Sequence, residues 1–503
     1  MQNKITSLCH QLLISGLPRA RALCGLLLSL CGNVTATSVV QLSLSPLFQH
    51  QYASITDTID ELGKSTSRLA TLRTVLLTIV VALYRAARQG STTNRSHFLF
   101  TLDATPCAHP FAPTLERKAI VLPNPQFQAY HLSKGYCLSA LNAAGFVDDW
   151  CLPLDLRRLQ PGQTPAECGR QQISLVLEEL ARGRSAPTPE LYVVVADAGY
   201  GNSPFVLPLA RDEQDLVTIT RLKVGSKVYL DHRRQSVGQI EQFRKDKIYG
   251  DELFLRMTTG VKSRKNRWHK DPSSKVERSI SEVPADDCSE CKQTRGRRTV
   301  TIKVERWNGL LLRWSHDDNT MADHPVDVVR IEQRDEQTGQ LVFKNELYLL
   351  LAGKRRDELS AQQAYQDYSC RKDTESYFRT AKHRFLLTGY QSCVDRHHDV
   401  WWCIVMLAGW FTWLTREHGR PAFFPWERYG YRAKVNQPSR GPSFSQAIRA
   451  AAPYLCTLDW SSISPQKQKG GSGRALGTIL TPRARHVVLR KASKEKEKSA
   501  KSA

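Results

Sequence analysis

Tyr368, Arg371, Glu375 and Lys382 stand at successive steps of three, four and seven in the stretch YSCRKDTESYFRTAK. At about 100° per residue, an α-helix would bring these four side chains within roughly 60° of one another. Arg379 falls in the same arc. A helix stripe turned to a core carries Leu, Ile or Val, whereas this one carries a phenol, a carboxylate and three cations. Alone, it also fits a solvated face with i,i+4 ion pairs. Two further carboxylates shift that balance. Asp103 follows HFLFTL and Asp197 follows LYVVVA, both short apolar runs that read as buried strands. Three acids from distant segments suit phosphoryl transfer, in which two hard divalent cations roughly 3.5–4 Å apart activate the attacking oxygen and stabilise the leaving one. Mg²⁺ needs few carboxylates because it keeps much of its water. Arg371, Arg379 and Lys382 would add positive charge for a phosphate backbone, and Tyr368 a hydrogen bond.

The elements that must position these residues are read from apolar periodicity. Residues 1–95 show three- and four-residue steps around Ile5–Ile14, Arg21–Leu30, Tyr52–Leu62 and Thr71–Arg88, hence helices. Arg68, Arg73, Arg85, Arg88 and Arg95 give them a basic edge. We read a helical DNA-binding domain here, with a cap on the following domain as the alternative. Residues 96–222 and 346–435 read as two parts of one α/β domain. Its first part has strands at His97–Leu102, Tyr136–Ala143, Asp149–Pro153, Leu191–Ala196 and Leu216–Leu222, and helices near Gln171–Ala181 and Pro204–Arg211. The two aspartates are expected at strand ends. The second part opens on a strand at Tyr348–Leu351, continues through the Tyr368 helix, and ends in a long tryptophan-rich helix over residues 390–418, expected to pack on the sheet. Between the two parts, residues 223–345 form a β-rich insertion with strands at Lys227–Asp231, Leu253–Thr258, Val300–Arg306, Leu310–Trp314, Val326–Gln333 and Leu341–Lys344. Its loops Lys262–Lys270 and Arg295–Arg298 are basic, as is the loop Pro106–Pro125. Residues 436–503 read as a basic, largely disordered tail.

Charge narrows the class of partner. Against 48 Asp+Glu the chain sets 71 Lys+Arg, a formal +23 spread through folded segments. That favours a polyanion, and nucleic acid over a membrane surface. The apolar runs Leu23–Leu30, Thr74–Tyr84 and Val400–Leu414 fall short of the ~18–20 residues of a membrane span. Arg19 and Arg21 follow the apolar segment Leu12–Leu17, the wrong order for a signal peptide, so a cytoplasmic, nucleoid-associated protein with reduced thiols is expected. Cys288 and Cys291 form the one CxxC pair, without the second pair that a zinc ribbon needs.

Tyr-x2-Arg-x3-Glu-x6-Lys, together with HFLFTLDAT and VVVADAGYGN in that order, resembles bacterial DDE cut-and-paste transposases of the insertion sequence four family. The resemblance covers roughly residues 95–420. It implies a ribonuclease H-like catalytic domain interrupted by the β-rich block. It implies Asp103, Asp197 and Glu375 as ligands of two Mg²⁺ ions per site, with Mn²⁺ able to substitute. Tyr368, Arg371, Arg379 and Lys382 would hold the transposon end. It further implies nicking, a hairpin intermediate, strand transfer, and a homodimer bridging terminal inverted repeats and target DNA. Trp307 or Trp314 is a candidate to hold a flipped base. Two other readings stay open: a domesticated, inactive DNA-binding derivative, and a ribonuclease H-like nuclease that cuts without joining.

Overall fold

A computed structural model describes residues 3–91, 95–109, 119–121, 133–147, 150–182, 190–223, 226–231, 249–255, 277–295, 298–312, 323–343, 345–416, 442–461 and 463. Four helices open the chain: α1 (Asn3–Ile14), α2 (Ala20–Cys31), α3 (Ala53–Leu62) and α4 (Thr66–Gln89). Then come β1 (Phe98–Ala108), β2 (Ala119–Val121), β3 (Ser133–Ala144), β4 (Leu152–Arg158), α5 (Pro165–Arg182), β5 (Tyr192–Ala196), α6 (Ser203–Asp212) and β6 (Leu216–Arg221). Seven further strands are β7 (Lys227–Asp231), β8 (Tyr249–Phe254), β9 (Glu277–Ser279), β10 (Asp287–Arg295), β11 (Arg298–Leu310), β12 (Val326–Asp335) and β13 (Leu347–Ala352). The last helices are α7 (Ala361–Ser369), α8 (Arg371–His383), α9 (Asp395–Thr415) and α10 (Phe444–Cys456).

Ten strands form one mixed sheet in the order β10-β11-β12-β13-β6-β5-β1-β3-β2, with β4 also paired to β3. β1, β5 and β6 are mutually parallel, and the other pairings are antiparallel. The β-rich block is therefore in large part an extension of the central sheet. Among the described residues, β7, β8 and β9 form a separate sheet, joined to the end of β11 through the bridge Tyr229–Leu311.

The alternation of β side chains divides the core cleanly. Phe98, Phe100 and Leu102 of β1, Tyr192, Val194 and Ala196 of β5, and Leu350 of β13 belong to one apolar cluster, against the main helical layer. Leu99, Val193, Val195, Val217, Ile219, Leu349 and Leu351 belong to the other, covered by α7 through Ala361 and Ala364. In the helical layer α9 is apolar on all sides and buried, as expected of a central helix. Its Trp401, Trp402 and Trp410 are fully buried, and each indole N–H donates to a carbonyl, of Leu386, Leu387 and Pro153 respectively.

Several expectations change. The N-terminal helices share the cluster that holds α9, so they cap the sheet domain instead of forming a core of their own. By length and composition α4 could cross a membrane, yet it is built into the fold: Tyr84 Oη donates to Leu99 O at 2.9 Å and Arg73 pairs with Asp399 at 3.4 Å. The supposed tail contains α10, whose Phe444 ring lies 4.1 Å from that of Trp150; residues 464–503 lie outside the described residues. The separate strands expected at Val300–Arg306 and Leu310–Trp314 are one strand, β11, with a bulge between Trp307 and Leu310. At Leu341–Lys344 only the isolated bridge Arg334–Leu341 forms. Trp307 is a core residue, its indole N–H donating to Val283 O at 2.9 Å, which removes it as a base-holding candidate in this conformation. Trp314, the loop Lys262–Lys270 and most of Pro106–Pro125 lie outside the described residues, as do two residues of Arg295–Arg298. Cys288 and Cys291 sit three apart on β10, hence on opposite faces, and all thirteen cysteines are free thiols.

Candidate active site

The parallel register of β1 and β5 runs Phe98–Tyr192 to Leu102–Ala196. One step further, Asp103 stands beside Asp197. Parallel neighbours are about 4.8 Å apart, and both aspartates continue the odd face of their strands, in line with Leu99, Thr101, Val193 and Val195. β5 ends at Ala196, whereas β1 runs on to Ala108 because β3 keeps pairing with it as far as Gly135. Asp103 is thus in mid-strand, not at a strand end as expected, and faces the notch where its parallel neighbour stops. Such a notch, beyond the carboxyl end of a parallel strand where connections diverge, is where open α/β sheets bind ligands.

A tight turn holds the second aspartate. Asp197 Oδ1 accepts from Gly199 N at 2.8 Å, and Asn202 caps α6 by accepting from Phe205 N at 3.1 Å. A Cβ on Gly201 would lie 2.3 Å from Arg221 O at the end of β6, so only glycine lets the turn lie this close. Tyr200, between the two glycines, is buried, and burial raises its phenol pKa, with Asp103 and Asp197 adding to the effect. Periodicity carried no sign of this phenol; its one signal was an aromatic residue inside a glycine turn.

The third carboxylate arrives on α8. The helix expected to hold Tyr368 through Lys382 is broken at Cys370: Tyr368 lies in the last turn of α7, which ends at Ser369, and Arg371 begins α8. Ser369 Oγ donates back to Tyr365 O at 2.8 Å and Cys370 Sγ to Gln366 O at 3.6 Å. Such back-bonding to i−4 carbonyls bends helices. The junction is pinned by buried Asp367, 2.9 Å from Arg95 Nε and 2.8 Å from His97 Nε2. Beyond the break, α8 lies along the odd face of β1. Thr374 Oγ1 meets Thr101 Oγ1 at 2.6 Å, and Lys382 Nζ donates to Thr105 Oγ1 at 2.8 Å. Eight helical residues rise about 12 Å and four strand residues about 13 Å, so these contacts bracket Asp103 with helix and strand nearly aligned.

Arg371 stands among the three acids. Its guanidinium lies 3.6 Å from Asp103 Oδ2, 3.9 Å from Asp197 Oδ2 and 3.2 Å from Glu375 Oε1. Side-chain exposure rises from 14% at Asp103 through 38% at Asp197 to 59% at Glu375, so the cluster opens toward Glu375. Burial opposes the Arg371 charge, yet Asp103, Tyr368, Asp197 and Glu375 hold its pKa above the ordinary value. Tyr368, half-buried, has its pKa raised by burial against the opposing charges of Arg371 and Arg221. Arg379 is exposed one turn beyond Glu375 and touches none of the three acids. The structure therefore gathers Asp103, Asp197, Glu375 and Arg371, flanks them with Tyr368 and Lys382, and leaves Arg379 outside.

The donors are hard carboxylate oxygens, the kind that Mg²⁺ or Mn²⁺ takes. Among the described residues, however, no three His, Cys, Asp or Glu side chains converge closely enough to hold an ion. The observation that bears on fit is Asp103. Burial pushes its carboxyl up to about 6, Arg371 opposes the shift, and Asp197 and Glu375 add to it. One guanidinium does not neutralise three acids, so the set suits a cation in kind, with Arg371 now where the positive charge is needed.

The sign of the Asp103 shift yields an expectation for the metal-free protein. A carboxyl raised from 3.8 to about 6 favours the folded state when protonated. That contribution is fully present below about pH 4 and is lost as pH rises through 6. Asp103→Asn should therefore abolish about 2 kcal/mol of the stability lost between pH 4 and 7. Urea unfolding at the two pH values checks this; an equal loss in variant and wild type rejects it.

Residues 13–257 match the family model of the DDE superfamily endonuclease. The matched segment contains Asp103 and Asp197 and ends before Glu375, so this half of the chain is similar to the nucleases of that superfamily. Among solved structures, the chain is similar to the piggyBac transposase synaptic complex with hairpin DNA, at 9% identity and a TM-score of 0.36, over 91% of this chain and 78% of that one. No curated protein matches the chain.

Proposed function

We propose that this protein is a Mg²⁺-dependent DNA transposase of the insertion sequence four family, with a ribonuclease H-like catalytic domain. The observation that carries the reading is the meeting of Asp103, Asp197 and Glu375, from β1, the end of β5 and α8, around one guanidinium. β1, antiparallel to β3 on one side and parallel to β5 on the other, supports the fold assignment. The endonuclease match over the aspartate-bearing half supports the chemistry.

In this reading the three acids hold two divalent cations, Mg²⁺ with Mn²⁺ as substitute. These would activate the attacking oxygen and stabilise the leaving one at the scissile phosphate. The chain's own groups orient the DNA. Lys382, fixed on Thr105, and Tyr368, at the end of α7, flank the acids on either side. They are suited to hold backbone phosphates of the transposon end, and exposed Arg379 extends that track. A formal charge of +23 supplies the long-range attraction. Nicking, a hairpin intermediate, strand transfer, a homodimer bridging terminal inverted repeats and target, and a place at the cytoplasmic nucleoid belong to the same proposal.

The test is a product assay with DNA carrying the sequences that flank its coding region, where this reading expects inverted repeats, a plasmid target and Mg²⁺. Nicked, hairpin and joined products are expected. Hydrolysis that never proceeds to joining would favour a nuclease, and binding without cleavage a DNA-binding derivative.

A further inference from the structure

Arg371 has so far been assigned to DNA, yet its guanidinium is engaged with carboxylates. Its contacts are of an unusual kind. At 3.6 and 3.9 Å, the approaches to Asp103 and Asp197 are ion pairs beyond hydrogen-bond distance. Among the described residues only Glu375, four residues along the same helix, accepts a hydrogen bond from it, at 3.2 Å. Among the described residues, the Arg371 Nε is buried without a hydrogen-bond partner. A guanidinium built as a permanent structural clamp uses its fork bidentately. This one sits at the centre of three acids from three elements through two long ion pairs and a single hydrogen bond to Glu375, with its Nε–H unpartnered among the described residues.

We propose that Arg371 is a displaceable internal counter-cation: it neutralises the acid cluster in the free protein and leaves when divalent cations load. The inference rests on the proposed metal-binding role of the acids. Mg²⁺ approaches carboxylate oxygens to about 2.0–2.1 Å, inside the positions the guanidinium now holds, and the two like charges exclude each other. Arg371 begins α8, and the contact with Glu375 lies toward the open side of the cluster. A guanidinium released there meets solvent or a DNA phosphate, which binds it bidentately. Metal loading and backbone binding are then linked through one side chain, and each strengthens the other by the same factor.

Mn²⁺ binding followed by electron paramagnetic resonance, on the full chain without DNA, tests this without reference to activity. Arg371→Gln is expected to bind Mn²⁺ about tenfold more tightly than wild type, a typical coupling. Arg371→Lys keeps the charge but cannot span three acids, and is expected in between. A short duplex should tighten Mn²⁺ binding by wild type and leave Arg371→Gln unchanged. Asp103→Asn should lose Mn²⁺ binding. If Arg371→Gln and Arg371→Lys bind Mn²⁺ no more tightly than wild type while Asp103→Asn loses it, the metal site stands and the counter-cation role is overturned. If Asp103→Asn binds Mn²⁺ as wild type does, the metal site itself falls, and the counter-cation role with it.

Discussion

Asp103→Asn and Asp197→Asn are each expected to lower Mg²⁺-dependent strand cleavage by ~10³-fold or more, while binding to the element's ends persists. The two residues are neighbours in register at the point where β5 stops and β1 continues. Neither replacement alters backbone pairing, because asparagine keeps the size and an accepting oxygen. For Asp197 that oxygen still serves Gly199 N, so the turn should survive. What is removed is one negative charge from the site proposed to hold cations. Glu375→Gln should act in the same direction. It is the most exposed of the three and sits on a helix surface with no strand to fix it, so its structural cost is the smallest. Gel analysis of nicked product, with Mg²⁺ as the only metal, measures the effect. Full cleavage by any of the three variants would reject the assignment. Circular dichroism and end-binding assays on the same preparations separate lost chemistry from lost fold.

The strands that carry the aspartates were readable because buried parallel strands are continuous apolar runs, as FLFTL and YVVVA are. Their relative register was not, since it depends on which strand neighbours which. Two helical expectations failed for a different reason. The break at Cys370 comes from Ser369 and Cys370 bonding back to carbonyls, a local competition that leaves apolar periodicity intact. α10 was masked by its polar, Pro-rich surroundings, although FSQAIRAAAPYLC carries a Ser443–Gln446 capping box. β10 (DCSECKQTR) escaped notice because it is an edge strand, paired on one side with β11 and largely exposed, so it needs no apolar run. The residues that the structure gathers were for the most part legible as types: two aspartates after apolar runs, and a glutamate, a phenol and cations at helical spacing, but not Tyr200. Which cation meets the acids was not, because Arg371, Arg379 and Lys382 differ only in their tertiary surroundings. Arg371 opens α8 beside the notch, Lys382 is drawn to Thr105, and Arg379 faces out.

Asp327→Ala is expected to destabilise the protein by about 3–5 kcal/mol, the range for stripping one partner from a buried ion pair. Asp327, on β12, is completely buried. One carboxylate oxygen accepts from Arg306 Nε at 3.2 Å and also from its Nη2; the other accepts from Arg356 Nε at 3.0 Å and from Gly309 N at 2.9 Å. It thus fixes the β11 bulge, where Gly309 has φ +67°, and the turn between β13 and α7. Arg306 extends the link by donating to Leu359 O, immediately before the Ser360 cap of α7. Alanine leaves two guanidinium groups facing a cavity, with only the exposed Asp357, 3.7 Å from Arg306, as a remaining counter-charge among the described residues. Chemical denaturation at pH 7 measures the loss, and one below 1 kcal/mol would show that water or relaxation replaces the carboxylate. Arg306→Met combined with Asp327→Ala should cost less than the sum of the two, since much of each single cost is the stranded partner. The consequence reaches the acids because α7 leads directly into α8. On the proposed function, the strands inserted between the two halves of the domain would act on catalysis by setting where α7 starts. Loosening that anchor should therefore reduce cleavage even in the fraction of molecules that remains folded.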